Sequence, residues 1–266
     1  MNKYDNMSFL EHLEDLRWHV IRSLIVIVSA GFICFLMKDF IFDTIIFGPK
    51  KMDFPTYKFL CNIATYFGIE TTFCGDKFPF IIQNRVMTGQ FSAHVMTSII
   101  SGFIISFPYV LYEFWKFISP GLLIVEKIRT KTFIFVSSIL FFIGVLFGYY
   151  IVSPLSINFL GTYQVSNEIL NEIDLGSFIS LVRSSALGSG IIFQLPIVIY
   201  FLTKAGLVTP KILVEYRKYA LVMVLILAAL ITPPDVASQI IVAIPIVILY
   251  QVSIFISRIV VKKQTK

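Results

Sequence analysis

The 266-residue chain is 57 % hydrophobic and 14 % charged, with a mean hydropathy of +0.84, so in a water-soluble domain most of its apolar side chains would have no interior to occupy. Its 22 Lys and Arg against 16 Asp and Glu give a formal net charge of +6; in so apolar a chain that excess records loop orientation rather than a nucleic-acid partner. The composition is that of a polytopic membrane protein, and soluble enzymes and nucleic-acid binders are set aside.

The first element is SFLEHLEDLR, residues 8–17. Ser8 followed by Glu11 fits a capping box, which marks a helix start. At 100° per residue Phe9, Leu13 and Leu16 share one face with His12 at its edge, and Glu11, Glu14 and Asp15 share the opposite one. The expectation is a helix lying on the membrane surface with its acids outward. By composition alone these acids read as a solvated face with favourable carboxylates in a first turn.

The apolar run of about 20–37 follows, containing Cys34. A cleavable signal peptide needs a basic leader and an apolar core ending at small residues, whereas this leader is acidic and the run continues past Ser29, Ala30 and Gly31. An uncleaved first span is expected. The segment 38–93 is then the only sizeable piece outside the membrane. It holds Cys61 and Cys74, either a local disulfide staple or two free thiols.

Five further spans are read at about 94–114, 132–153, 177–203, 219–231 and 236–256. All six are helices, because a helix satisfies its own backbone in lipid and an open strand does not. The second is followed by FWKFISPGLLIVEKIRTK, in which Ser119, Pro120 and Gly121 break the helix and Glu126 stands beside Lys127 and Arg129. The fourth contains Gln194 in FQLP and, near its outer end, Arg183, expected to snorkel or to pair with Asp174. The fifth, Tyr219 to Ile231, covers roughly 20 Å at about 1.5 Å per residue, short of a hydrocarbon core near 30 Å, so the bilayer is expected to thin beside it.

Cations set the orientation. They cluster before span one, after spans two and four and at the end of the chain, while 154–176 and the TPPD turn at 232–235 have neither Lys nor Arg. Both termini are therefore expected on the cytoplasmic side. The chain reads as one membrane domain, 1–266, without internal repeats.

Catalytic and metal chemistry find little support. His12, His19 and His94 lack ligand spacing, GSG at 188–190 lacks a base partner, and a lone intramembrane serine is usually a packing residue. No catalytic residue, metal or cofactor is expected. No span centre offers a carboxylate for a proton relay, which disfavours the alternative of a secondary transporter or channel.

Three segments together resemble TatC, the multispanning subunit of the twin-arginine protein translocase. HLEDLR at 12–17 is similar to the family's HLxELR, FPYVLYEFWKFISPGLLIVEK at 107–127 to its Pro-Gly-Leu region, and TPPDVASQIIVAIP at 232–245 to its last outer turn and span. The resemblance covers essentially the whole chain. It implies a concave, glove-like helical bundle without a pore of its own. It further implies a receptor that holds signal peptides bearing paired arginines, working with TatA-type and TatB-type single-span partners in an oligomeric complex driven by the proton-motive force, in a bacterial inner or organellar membrane.

By position it assigns peptide binding to Asp15 and Glu126, with Glu14, Phe117 and Arg17 on the same surface. Pro49, Pro120, Gln194, Pro233 and Asp235 become structural or partner-contact positions. Asp15 is one methylene shorter than the family's usual Glu, Leu123 stands where Tyr is common, and Gln194 occupies a slot that is Glu in many relatives.

Overall fold

The computed structural model describes residues 9–68, 74–75, 77–118, 130–166, 168–231 and 236–264. Its helices are α1 (Phe9–Leu36), α2 (Pro55–Phe67), α3 (Gly89–Ile118), α4 (Thr130–Phe147), α5 (Ser153–Thr162), α6 (Leu175–Ile192), α7 (Leu195–Lys204), α8 (Pro210–Glu215), α9 (Arg217–Ile231) and α10 (Val236–Gln264). The described residues also form a π-helical segment, Phe40–Ile46, a 3-10 turn, Gly48–Lys50, and two strands, β1 (Phe80–Gln83) and β2 (Asn171–Asp174). The chain separates into two compact units: residues 1–41 with 91–139, and residues 42–90 with 140–266.

In the first unit the opening stretch is not a separate helix on the membrane surface. It is the beginning of α1, a single rod of 28 residues. Neither Gly nor Pro interrupts it before Gly31, so nothing stops the helix between Arg17 and the span. At about 1.5 Å per residue α1 measures roughly 42 Å against a core of roughly 30 Å, so its first two turns can stand clear of the hydrocarbon. Leu13 is exposed rather than packed.

α1 and α3 approach at two small residues. A Cβ on Gly102 would lie 2.5 Å from the Gly31 nitrogen and 2.7 Å from the Ile27 carbonyl, so only glycine permits this backbone contact. Further along, the His94 ring stacks on Phe35 with centroids 4.0 Å apart, and its Nε2 lies 3.1 Å from the Phe35 carbonyl.

In the second unit the end of α4 and the turn after it pack closely against α6. FIGVLFG, running from α4 into the turn after it, sets Gly144 and Gly148 in a small-xxx-small pattern, and α6 brings Ser185 and Ser189 against it. A Cβ on Gly148 would sit 2.2 Å from the Ser185 carbonyl oxygen and one on Gly144 would sit 2.7 Å from that of Ser189. A π-helical turn, Gly148–Val152, separates α4 from α5, where Pro154 lacks the N–H that an unbroken helix would use. The fourth predicted span is likewise two helices. Pro196 cannot donate to the Ile192 carbonyl and crowds it, and the chain turns at Phe193 and Gln194 before α7.

α10 joins the later helices. Thr203 Oγ1 donates to Ser257 Oγ at 2.9 Å, the Tyr250 hydroxyl donates to the Leu213 carbonyl at 2.8 Å, and Gln239 Nε2 donates to the Leu225 carbonyl at 3.1 Å. Val224 and Ala228 of α9 enter an apolar core with Val152, Val242, Ala243 and Ile246. α9 has 15 residues, about 22 Å, and leaves Val222, Met223 and Ile226 exposed.

The segment between the first two spans is ordered around Tyr57, which is 0 % exposed. Its hydroxyl lies 2.8 Å from the Pro49 carbonyl and 3.0 Å from that of Pro154. Phe54 stacks on Tyr150 at 5.4 Å, and Thr56 donates its hydroxyl proton to the Tyr150 carbonyl. Cys61 and Cys74 form a disulfide with Cα atoms 5.1 Å apart. β1 and β2 pair in parallel, Phe80 opposite Asn171 and Gln83 opposite Asp174, with Arg85 on Glu172 at 2.8 Å beside them. This small sheet is an addition to an otherwise helical protein. Asp174 does not pair with Arg183; its carboxylate caps α6 by accepting from the Ser177 N–H at 3.1 Å, and the Arg183 Nε is buried without a hydrogen-bond partner.

Candidate functional site

Ionisable side chains gather in the first unit, where the beginning of α1 meets the end of α3. Asp15 and His19 stand one turn apart on α1, at the spacing that stacks two side chains on one face. His19 Nε2 is 3.6 Å from Asp15 Oδ2, and His19 Nδ1 is 2.5 Å from Oε2 of Glu113 on α3. The side chains are 7 % exposed for His19, 4 % for Glu113 and 37 % for Asp15, so the row runs from a buried carboxylate through an imidazole to a carboxylate at the surface.

A carboxylate this buried requires a partner, and Glu113 has two, the imidazole and the Tyr109 hydroxyl one turn earlier. Phe117 sets its ring edge-on to His19 at 6.2 Å, and Trp115, 5 % exposed, stacks on Phe133 of α4 at 4.6 Å. The end of α3 is therefore fixed on both sides: Trp115 packs into the unit, while Glu113 and Phe117 address α1. Glu14 and Arg17 are exposed, Arg17 over the Trp18 ring at 5.9 Å.

The half-open Asp15 carboxylate and the Phe117 ring flank His19 from two helices long and apolar enough to cross a membrane. Among the described residues five helical segments meet that length and apolarity: Leu13–Leu36, Gly89–Phe117, Thr132–Thr162, Leu175–Lys204 and Gln239–Lys262. The family model for the Sec-independent protein translocase protein (TatC) matches residues 11–245. The chain belongs to the TatC family.

Sec-independent protein translocase protein TatC of Blattabacterium sp. subsp. Periplaneta americana is 45 % identical over 264 residues, covering 99 % of each chain. That of Aquifex aeolicus is 33 % identical over 261 residues, covering 97 % of this chain and 98 % of the relative. A crystal structure of the twin-arginine translocase receptor TatC superposes with a TM-score of 0.69 at 30 % identity, over 94 % of this chain and all of that one. A second, of the same receptor in the detergent DDM, gives 0.72 at 32 % identity, over 93 % of this chain and 99 % of that one. The fold is thus the mostly helical TatC fold, and the protein is a multi-pass membrane component of the Sec-independent translocase, placed with its bacterial relatives in the inner membrane.

Against this fold the residues singled out from the sequence fall into three groups. Asp15 and Phe117 come together around His19, with Glu14 and Arg17 on the adjoining α1 surface. Pro49 and Gln194 lie in the second unit, Pro49 fully buried with its carbonyl on Tyr57 and Gln194 at the start of α7, where its carbonyl accepts from the Ile197 N–H at 2.9 Å. Ser8, Pro120, Glu126, Pro233 and Asp235 lie outside the described residues.

Sequence reasoning missed Glu113 and gave His19 no role. The signal was present in YEFW: an ionisable residue within an apolar helical run needs a partner, and His19, at i+4 from Asp15, offers one. Asp15 also differs from expectation, since it turns partly toward α3 through His19 instead of standing wholly outward.

Proposed function

We propose that this protein is the receptor and core subunit of the translocase, binding twin-arginine signal peptides at the cytoplasmic carboxylates Asp15 and Glu126 and supporting proton-motive-force-driven export of folded proteins. The observation that carries the reading is the half-open Asp15 carboxylate, with one oxygen 3.6 Å from the His19 ring that Phe117 flanks and its remaining edge open to a cation from the cytoplasmic side. A guanidinium presents two parallel N–H donors to a carboxylate, a geometry that an ammonium does not reproduce. TatA-type and TatB-type proteins are the partners in this reading, and copies of the complex assemble as an oligomer around cargo. The short, exposed α9 locally thins the bilayer, which eases passage of a folded substrate.

Discrimination between twin-arginine and twin-lysine peptides tests the site. Asp15→Ala and Glu126→Ala should each cost about 1–3 kcal/mol in binding of a twin-arginine peptide to the membrane-inserted protein and much less for the twin-lysine version. Asp15→Glu should hold or improve binding. Equal losses for both peptides would reduce the site to simple charge attraction, and no loss from either alanine variant would remove these carboxylates from the binding surface.

The orientation is tested separately. With both termini cytoplasmic, single cysteines at positions 127 and 263 should react with an impermeant thiol reagent only from the cytoplasmic face, and cysteines within 154–176 only from the opposite face. Labelling of position 263 from outside would reverse the orientation.

A further inference from the structure

Within the row Asp15, His19 and Glu113, only Asp15 faces outward enough to meet a peptide. The other two are buried, and a buried carboxylate is costly unless it is paired and hydrogen-bonded, as Glu113 is to His19 and Tyr109. Glu113 Oε2 accepts a hydrogen bond from His19 Nδ1–H at 2.5 Å, which sets the imidazole plane and directs Nε2 at Asp15. The Tyr109 hydroxyl adds a second tie to Glu113, and Phe117 bounds the ring from the side.

We propose that Glu113 and His19 are positioning residues for guanidinium recognition: Glu113 orients His19, and His19 holds the Asp15 carboxylate so that its open edge faces the incoming arginine fork. This rests on the reading of Asp15 as a peptide-binding carboxylate. It extends that reading to two residues that never touch the peptide.

The separation of 3.6 Å fits the role. It is beyond a hydrogen bond yet within the range of an ion pair to an imidazolium, so His19 with both ring nitrogens protonated restrains one Asp15 oxygen without saturating the carboxylate. A fixed imidazole one turn along the helix sets the χ2 torsion of the Asp15 carboxylate. An ammonium, being a point charge, is insensitive to that torsion, whereas a two-point guanidinium contact depends on it.

The test measures binding of fluorescent twin-arginine and twin-lysine signal peptides to the full-length protein in membranes. Glu113→Ala should weaken the twin-arginine peptide about fivefold and leave the twin-lysine peptide nearly unchanged. Glu113→Gln, whose amide oxygen still accepts from Nδ1, should restore binding. In an Asp15→Ala background, Glu113→Ala should have no further effect, because the carboxylate it positions is gone.

If Glu113→Ala fails to insert, the double variant His19→Leu/Glu113→Leu replaces both buried polar partners together and leaves neither unsatisfied. It should insert and show the same loss of arginine preference. Equal weakening of both peptides, or losses from Glu113→Ala and Asp15→Ala that simply add, would show that Glu113 only supports the fold and would overturn the proposal. If Asp15→Ala weakens binding while Glu113→Ala and the double variant do not, the positioning role alone falls. If Asp15→Ala has no effect, the receptor site at Asp15 falls and the positioning role with it.

Discussion

Gly148→Leu is expected to abolish accumulation of the folded protein in the membrane. The Cβ alone would lie 2.2 Å from the Ser185 carbonyl oxygen, 2.7 Å from its carbon and 2.8 Å from the Ala186 Cα, all backbone atoms that no rotamer change can move. Inserting atoms into a packed interface costs about 1–3 kcal/mol where side chains can give way, and more where backbones must separate. Gly148→Ala should therefore already lower the thermal midpoint in detergent clearly, and leucine should remove the folded species. Changing the Ser185 side chain to glycine should not rescue either variant, because the obstructing oxygen belongs to the main chain. Val136→Leu on the exposed side of α4 is the control and should behave as wild type. Normal folding of Gly148→Leu would mean that the turn after α4 does not meet α6 at this glycine.

The α4–α6 crossing also shows how far the sequence could be read. Apolar run length located the helices, because lipid leaves the backbone no other way to satisfy its hydrogen bonds. It did not show where a run would bend. The breaks before Pro154 and Pro196 follow from prolines visible in the sequence, but whether a proline inside a span kinks, ends or merely interrupts a helix depends on what packs against it. Pro108 and Pro245 are tolerated within continuous helices. The parallel β1–β2 pair joins residues 91 positions apart, Phe80 and Asn171, and no local pattern could have announced it.

At the candidate site, the exposed half was legible and the buried half was not. Asp15 and Phe117 were found because their motifs resemble those of a known family. Glu113 and His19 required the knowledge that α1 and α3 run side by side, since a 2.5 Å contact between residues 94 positions apart has no trace in periodicity. Reading the opening stretch as a surface helix had a similar origin. An acidic face beside an apolar one describes a helix at an interface, yet it describes equally the protruding end of a spanning helix, and only the lack of a breaker between the two segments separates the cases.

Tyr57→Phe is expected to destabilise the second unit by about 1–3 kcal/mol, and Tyr57→Ala by about 3–5 kcal/mol. The phenol has one proton and two carbonyl neighbours, Pro49 and Pro154, so it serves both through a shared hydrogen bond at a point with no access to water. Phenylalanine fills the same volume and leaves both carbonyls without their donor. Alanine adds a cavity among Tyr57's ring neighbours Phe54 and Phe78. The two effects separate by pH. Burial pushes the Tyr57 phenol above its ordinary value, so the folded protein keeps the proton while the unfolded chain releases it near pH 10. The contribution of this group is therefore fully present below about pH 10 and is lost progressively as the pH rises beyond it. Thermal midpoints of wild type and Tyr57→Phe, measured side by side from pH 7 to pH 11, should differ by a constant amount up to about pH 10 and converge above it, because phenylalanine cannot titrate. Lysines and the other tyrosines ionise alike in both proteins and cancel in the comparison. A gap that stays constant through pH 11 would mean that the Tyr57 phenol ionises as readily in the folded protein as in the unfolded chain, and hence that water reaches the Pro49 and Pro154 carbonyls.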